Sequence, residues 1–156
     1  FNAQLYAPEE MCSYKDTADF FWVTDHGTRG RIDMVVYSFP YVSGRTFTLD
    51  YLVAMRDSVL GEHIQGAFPG SYMTTEKRFT PSYEAISKNG EYCGVVRGLW
   101  EMEGDMMGGP FVSHALLDKK KGRVIVAESF VYAPESKKAN LIRRMEAALF
   151  TLRFVD

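Results

Sequence analysis

The dipeptide Asn89-Gly90 sets the strongest limit on the fold of this chain. It separates two runs, residues 82–87 and 91–103, that are rich in strand-forming residues. Asn and Gly both tolerate the positive φ angles of a type I′ turn, which joins neighbouring antiparallel strands. The dipeptide therefore predicts a β-hairpin. Both faces of the run 91–103 are apolar near its start, so its strand is predicted to lie inside a sheet.

Other strand-like runs flank short turns rich in glycine or charge. These runs are residues 20–23, 31–39, 71–78, 111–117 and 123–132. The segment 118–122, Asp-Lys-Lys-Lys-Gly, is predicted to be a solvated hairpin tip. Strands joined by short turns pair antiparallel, so the chain is expected to form an antiparallel sheet of about six or seven strands.

Two segments have helical spacing instead. In residues 46–65 one apolar stripe consists of Leu49, Leu52, Val53, Val59, Leu60 and Ile64. In residues 135–153 the stripe consists of Ala139, Ile142, Met145, Leu149 and Leu152. The predicted caps are Thr46 or Thr48 and Gly66 for the first helix, and Pro134 and Ser136 for the second. The order β-β-α-β-β-β-β-β-α predicts a single α+β domain over residues 1–156.

Composition excludes several classes of protein. The 156 residues include 18 basic and 20 acidic side chains, and the net charge of −2 gives no footprint for nucleic acid. No apolar run approaches the roughly 18 residues of a membrane-spanning helix. The two cysteines, Cys12 and Cys93, are too few for a disulfide framework. They either form one bridge in an oxidising compartment or remain buried thiols.

Residues 100–114 form the most unusual stretch, because carboxylates, methionines, glycines and a histidine lie within fifteen positions. The run Gly108-Gly109-Pro110 predicts a special turn, since most residues resist the backbone angles that such a run indicates. The candidate residues for binding a ligand or partner are Trp100, Glu101, Glu103, Asp105, Met106, Met107, Phe111 and His114.

Three roles are open for this stretch. The leading hypothesis is a non-enzymatic module that binds a partner protein or small ligand, with Met106, Met107 and Phe111 supplying contact area and the carboxylates orienting the partner. The alternative is a metal-assisted or hydrolytic enzyme, whose residues would be Glu101, Glu103, Asp105 and His114. A third interpretation makes the loop purely architectural.

Sequence motifs favour the non-enzymatic hypothesis. The chain contains no GxSxG elbow, no HExxH helix and no glycine loop of the kind that binds phosphate. His114 shares a predicted strand face with Val112 and Leu116, which favours a hydrogen-bonded structural histidine. No catalytic residue, metal ligand or cofactor is therefore predicted.

The run 97–114, with residues 124–126 and 130–135 downstream, resembles a family of Bacteroidetes envelope lipoproteins that carry domain of unknown function 4837. The similarity extends to residues 50–60 and 146–149. The resemblance implies a longer precursor with a lipoprotein signal upstream, of which this chain is the C-terminal part. It places the protein in the cell envelope, facing the periplasm or the exterior, and in contact with the membrane only through that anchor.

The resemblance implies no activity, and it leaves the envelope partner or small ligand and the oligomeric state unidentified. More loosely, an antiparallel sheet that ends in a strand and a long C-terminal helix looks like the PsbP-like folds. Those folds are mostly accessory or binding modules, and this analogy concerns the fold alone.

Overall fold

The computed structural model describes residues 1–25, 30–133 and 138–155. The strands are β1 (Ala3–Gln4), β2 (Ser13–Thr17), β3 (Phe20–Thr24), β4 (Arg31–Pro40), β5 (Tyr72–Thr75), β6 (Ser82–Lys88), β7 (Glu91–Glu103), β8 (Gly108–Asp118), β9 (Arg123–Tyr132) and β10 (Arg153–Phe154). The helices are α1 (Leu49–His63) and α2 (Lys138–Leu149), and a short 3-10 helix (Gly44–Phe47) precedes α1. None of the helices in the described ranges is both long and apolar enough to cross a membrane.

The predicted hairpins are confirmed. Asn89 and Gly90 have φ angles of 53° and 80°, and they turn β6 into β7. The same antiparallel pairing joins β3 to β4 and β8 to β9. The main sheet has the order β2-β3-β4-β9-β8-β7-β5, and β6 also pairs with β7, so the described part of the chain gives it eight strands. The sheet exceeds the predicted six or seven strands because β2, a largely exposed polar strand, pairs at its edge.

The helices are shorter than predicted. Thr48 caps α1 by accepting a hydrogen bond from the Tyr51 N–H at 3.3 Å, whereas Thr46 belongs to the 3-10 helix. The helix ends at His63, three residues before Gly66, because the Ile64 N–H makes the last bond to the Leu60 carbonyl.

The second helix, α2, ends at Leu149 rather than at residue 153, because Arg153 pairs with Gln4 in a separate sheet formed by β1 and β10. The predicted start of this helix, with Pro134 and Ser136, lies outside the described residues. Within its predicted stripe Met145, Leu149 and Leu152 are buried, but Ala139 is exposed.

The sheet separates two apolar cores. The core under α1 includes Phe20, Tyr37, Leu60, Trp100 and Phe111. The core under α2 includes Met34, Val95, Leu116, Met145 and Leu149. Side chains alternate across a strand, so β8 directs Phe111 and Ala115 to the first core and Val112 and Leu116 to the second.

Neither cysteine is bridged in the structure. Cys93 is buried in the core under α2, whereas Cys12 is exposed and free. The interpretation of a buried thiol therefore holds for Cys93 alone.

Candidate functional site

The candidate stretch folds as a tight turn between β7 and β8. Gly104 adopts the left-handed conformation with φ of 85°, and it is the residue of this turn that requires glycine. The Met102 N–H donates to the Met107 carbonyl at 2.9 Å, and the Asp105 N–H donates to the Met102 carbonyl at 3.2 Å. The Asp105 carboxylate accepts from the Met106 N–H at 2.7 Å. These bonds hold the turn in one conformation.

The prediction that Gly108-Gly109-Pro110 makes the turn is wrong. These residues start β8 and pair with residues 99–101 of β7. The glycines are needed for space instead: a Cβ on Gly109 would lie 2.0 Å from the Val131 carbonyl oxygen, and one on Gly108 would lie 2.8 Å from the Trp100 carbonyl oxygen. Pro110 is tolerated because the ladder to β9 begins one residue later, at Phe111.

An acidic and apolar surface surrounds the turn. Met106 is 98% exposed at its apex, Glu103 is exposed and Asp105 is partly exposed. The loop before β5 lies alongside, because Ser71 contacts the position of Gly104, and Tyr72 pairs with Glu103. Phe68 and Tyr72 on that loop side are 59% and 43% exposed. We call this set the hairpin tip surface: Phe68, Tyr72, Glu103, Asp105 and Met106.

Glu101 lies two residues before Glu103 in β7, and its carboxyl group forms a pair with that of Glu76. Arg78 donates to both oxygens of Glu76, at 3.0 and 2.8 Å, and lowers the pKa of Glu76 to about 2. The hydrogen bond that protonated Glu101 donates to the Glu76 carboxylate, partial burial and the nearby negative charges raise the pKa of Glu101. Glu101 is therefore the carboxyl of the pair that takes up a proton first as the pH falls.

Three of the predicted residues are core residues. Trp100 and Phe111 are buried under α1, where the Trp100 indole donates to the Val131 carbonyl at 3.1 Å. The centre of the Phe111 ring lies 3.9 Å from the guanidinium carbon of Arg56. His114 is fully buried on the opposite face of the sheet. The accessible candidates are therefore Glu101, Glu103, Asp105, Met106 and the partly buried Met107.

The structure does not bring His114 to the carboxylates. Glu101 pairs with Gly108, whereas His114 pairs with Val95, six residues farther along β7. At about 3.3 Å per residue that separation is about 20 Å. Within residues 1–25, 30–133 and 138–155 there is no group of three or more His, Cys, Asp or Glu residues that could hold a metal ion.

His114 instead belongs to a buried polar cluster at the end of α2. Lys88 donates to the His114 Nδ1 at 3.3 Å and to the Leu149 carbonyl, the last of α2, at 2.6 Å. An ammonium at a helix C-terminus is favourable, so Lys88 stabilises the end of α2. The His114 Nε2 is buried without a hydrogen-bond partner in the described structure. Burial, followed by the positive charges of Lys88 and Arg97, lowers the pKa of His114 to about 3.

We expect His114 to make folding sensitive to acid. Its pKa is lowered on folding from the ordinary 6.5, so the unfolded chain binds the proton more tightly than the folded chain. The free energy of unfolding should fall as the pH decreases from about 6.5 towards 3, by at most about 1.4 kcal/mol per pH unit from this residue. Urea unfolding of the wild type and His114→Gln across that range should show a shallower pH dependence for the variant. Parallel pH profiles would contradict the assignment.

The sequence reasoning missed a second buried polar cluster, under α1. Arg56 donates from Nε and Nη2 to the two oxygens of Glu128, at 2.8 and 3.0 Å, and from Nη1 to Thr75 Oγ1 at 2.9 Å. Thr75 in turn donates to Asp57 at 2.6 Å. Burial raises the pKa of Glu128, and the charge of Arg56 opposes that shift. The sequence did contain a signal for this cluster, because each of two apolar patterns includes a charged residue. Arg56 lies between Leu52 and Leu60, and Glu128 lies in a buried strand.

The chain forms a curled antiparallel sheet with one helix on each face and an exposed turn at one end. This architecture places it in the α+β class. Within that class the chain belongs to the family described as Domain of unknown function (DUF4837), whose model matches residues 1–151. This match confirms the resemblance to domain of unknown function 4837 that the sequence shows. No curated protein matches the chain.

Proposed function

We propose that this domain is a non-enzymatic binding module whose hairpin tip surface docks a partner protein. The observation that carries the proposal is Met106, which is 98% exposed at the apex of a turn held by backbone hydrogen bonds. A large apolar side chain that is fully exposed on a hydrogen-bonded turn contributes little to the stability of the domain. It does supply contact area that a partner can bury.

Charge around Met106 indicates the chemistry of the partner. Glu103 and Asp105 lie beside it and give its immediate surroundings two carboxylates. A complementary partner would offer an apolar pocket for Met106 bordered by lysine or arginine side chains. Phe68 and Tyr72 extend the apolar part of the surface, as aromatic residues commonly do in protein interfaces.

Met106→Ala should weaken partner capture by about tenfold or more, the effect of a residue at an interface hot spot. The measurement is quantitative cross-linking and affinity capture from the native cells, with recovered proteins compared between wild type and variant. Val42→Ala is the matched control, because Val42 is an apolar side chain that is 72% exposed in the loop after β4.

The expected result is a set of proteins lost with Met106→Ala, retained with Val42→Ala, and weakened by added salt. Both variants should unfold at the same urea concentration as the wild type within error, because neither removes a buried contact. Identical recovery with Met106→Ala and the wild type would end the proposal.

We also infer that the domain works in the bacterial envelope, attached through a lipid anchor upstream of Phe1. The support for this location is the resemblance of the run 97–114 to envelope lipoproteins. Metabolic labelling of the full-length gene product with a fatty-acid analogue, followed by cell fractionation, tests it. An unlabelled product in the cytoplasmic fraction would exclude the location.

A further inference from the structure

Met106 differs from the other methionines of the chain in its exposure. The chain has eight methionines, and all of them lie in the described residues. Four are buried in the two apolar cores and three are partly buried against them: Met34, Met73, Met102 and Met145, then Met11, Met55 and Met107. Met106 alone is 98% exposed, on a turn held by backbone hydrogen bonds. Its thioether sulfur is therefore open to small solutes while the domain is folded.

Exposure decides which methionines a peroxide can oxidise, because the sulfur must contact the oxidant. A lone pair of the sulfur attacks one oxygen of hydrogen peroxide, and the O–O bond breaks. The proton on the transferred oxygen passes to the departing hydroxide, which leaves as water. The sulfur loses two electrons, the peroxide gains them, and the product is methionine sulfoxide. A core methionine is protected from this reaction until the structure around it opens.

The fold does not depend on the Met106 thioether. The turn is held by backbone hydrogen bonds and by the Asp105 carboxylate, which accepts from the Met106 N–H. A sulfoxide on a side chain that is 98% exposed adds its oxygen to water and removes no buried contact. A sulfoxide on Met102 would instead place a polar oxygen in the core under α1. Oxidation is thus tolerated at the apex of the turn and harmful inside the domain.

We propose that Met106 is a site of reversible oxidation, and that its sulfoxide prevents the hairpin tip surface from docking its partner. The first part concerns this domain alone, and the second part rests on the proposed function. The sulfoxide oxygen accepts hydrogen bonds from water, and an apolar pocket of the partner would remove them without replacement. The adjacent carboxylates of Glu103 and Asp105 cannot replace them, since an ionised carboxylate has no hydrogen to donate.

The same exposure makes the reaction reversible. A methionine sulfoxide reductase removes the oxygen as water, while a dithiol supplies two electrons and becomes a disulfide. Such an enzyme has to reach the oxidised side chain, and the apex of the turn leaves Met106 accessible. The oxidised state can then be reversed without unfolding the domain, which distinguishes a switch from damage.

The oxidation rates of individual methionines test the first part. Trypsin cuts after lysine and arginine and releases residues 98–119 as one peptide, in which tandem mass spectrometry locates the added oxygen. In the purified folded chain, hydrogen peroxide should oxidise Met106 at least about tenfold faster than the buried Met102, and faster than the partly buried Met107. In concentrated urea the three rates should become similar. Equal rates for Met106 and either of the others in the folded chain would overturn the proposal.

Affinity capture from the native cells tests the second part, with bait that is treated with hydrogen peroxide and then freed of it. The oxidised wild type should recover at least about tenfold less of the proteins that Met106→Ala loses. Methionine sulfoxide reductase with dithiothreitol should restore their capture. The matched control is Met106→Leu, which keeps an apolar side chain of similar size and has no sulfur to oxidise. Because it retains Cys12 and the other seven methionines, its capture should be the same before and after peroxide.

The oxidation site and the docking surface can fail separately. If Met106→Ala loses proteins that the wild type with Met106 sulfoxide retains, the oxidative switch is wrong and the docking surface stands. If peroxide weakens capture by Met106→Leu as much as by the wild type, another residue is responsible and the inference is overturned. If Met106→Ala loses nothing, docking and its switch are both wrong. A chain oxidised at Met106 alone that unfolds at a lower urea concentration would also overturn the inference, because the side chain would then stabilise the fold.

Discussion

Replacing Glu128 with glutamine is expected to lower the free energy of unfolding by about 3–5 kcal/mol, as seen when one partner of a buried ion pair is removed. Glu128 accepts two of the hydrogen bonds that Arg56 donates, and neither side chain is more than 2% exposed. The variant leaves the guanidinium buried beside a neutral amide, and its remaining carboxylate neighbour is the partly exposed Asp57, 3.7 Å from Nη1. Urea denaturation monitored by circular dichroism measures the loss.

The double variant Arg56→Met with Glu128→Leu separates a charge effect from a packing effect. It removes both charges and fills similar volume, so it should recover most of the stability lost in Glu128→Gln. Arg56→Met alone should be as damaging as Glu128→Gln. If Glu128→Gln lowered the free energy of unfolding by less than about 1 kcal/mol, the pair would stabilise the domain no more than an exposed salt bridge does.

Gly109→Ala is expected to destabilise the domain by about 3 kcal/mol, at the upper end of overpacking effects. The added Cβ would meet the Val131 carbonyl oxygen at 2.0 Å, and this atom is backbone in the sheet and cannot rotate away. The same carbonyl accepts the Trp100 indole hydrogen bond, so separation of β8 from β9 would disturb that bond too. Urea unfolding measures the stability, and near-ultraviolet circular dichroism follows the surroundings of Trp100.

Gly44→Ala is the matched control for this effect. No atom lies within 4 Å of the position that a Cβ would take there, so stability should change by no more than about 0.5 kcal/mol. The space around the backbone, rather than glycine's flexibility, is then the cause of the loss at Gly109. Equal losses in the two variants would falsify this explanation.

Local chemistry explains which parts of the fold were predictable. Asn89-Gly90 specifies its turn through two residues, and the apolar residues on both faces of the run 91–103 correctly indicated that β7 lies inside the sheet. In contrast, β2 pairs with the neighbouring β3, but its polar sequence contains no apolar run that predicts a strand. The strands β1 and β10 have two residues each, and pairing between distant residues, such as Ala3 with Phe154, creates them. No local pattern specifies such pairing.

The turn in the candidate stretch was predictable only in part. The sequence predicted it at Gly108-Gly109-Pro110, but those residues start β8, and Gly104 has the left-handed conformation in the turn before them. The assembly of His114 with Glu101 depended on strand register, which placed them about 20 Å apart. Arg56 and Glu128 were missed because the role of a buried charge can be recognised only together with its partner. Here 72 residues separate the two partners in the sequence.

One layer of strands, shared by two cores, has a consequence for how the domain opens. Phe111 and Val112 are neighbours in β8, yet they pack under different helices. If either helix detached from the sheet, solvent would reach one face of these strands while the other face stayed covered. Amide hydrogens of β8 and β9 should therefore exchange with solvent only when both sides are lost, making these strands the last part of the molecule to be labelled by deuterium.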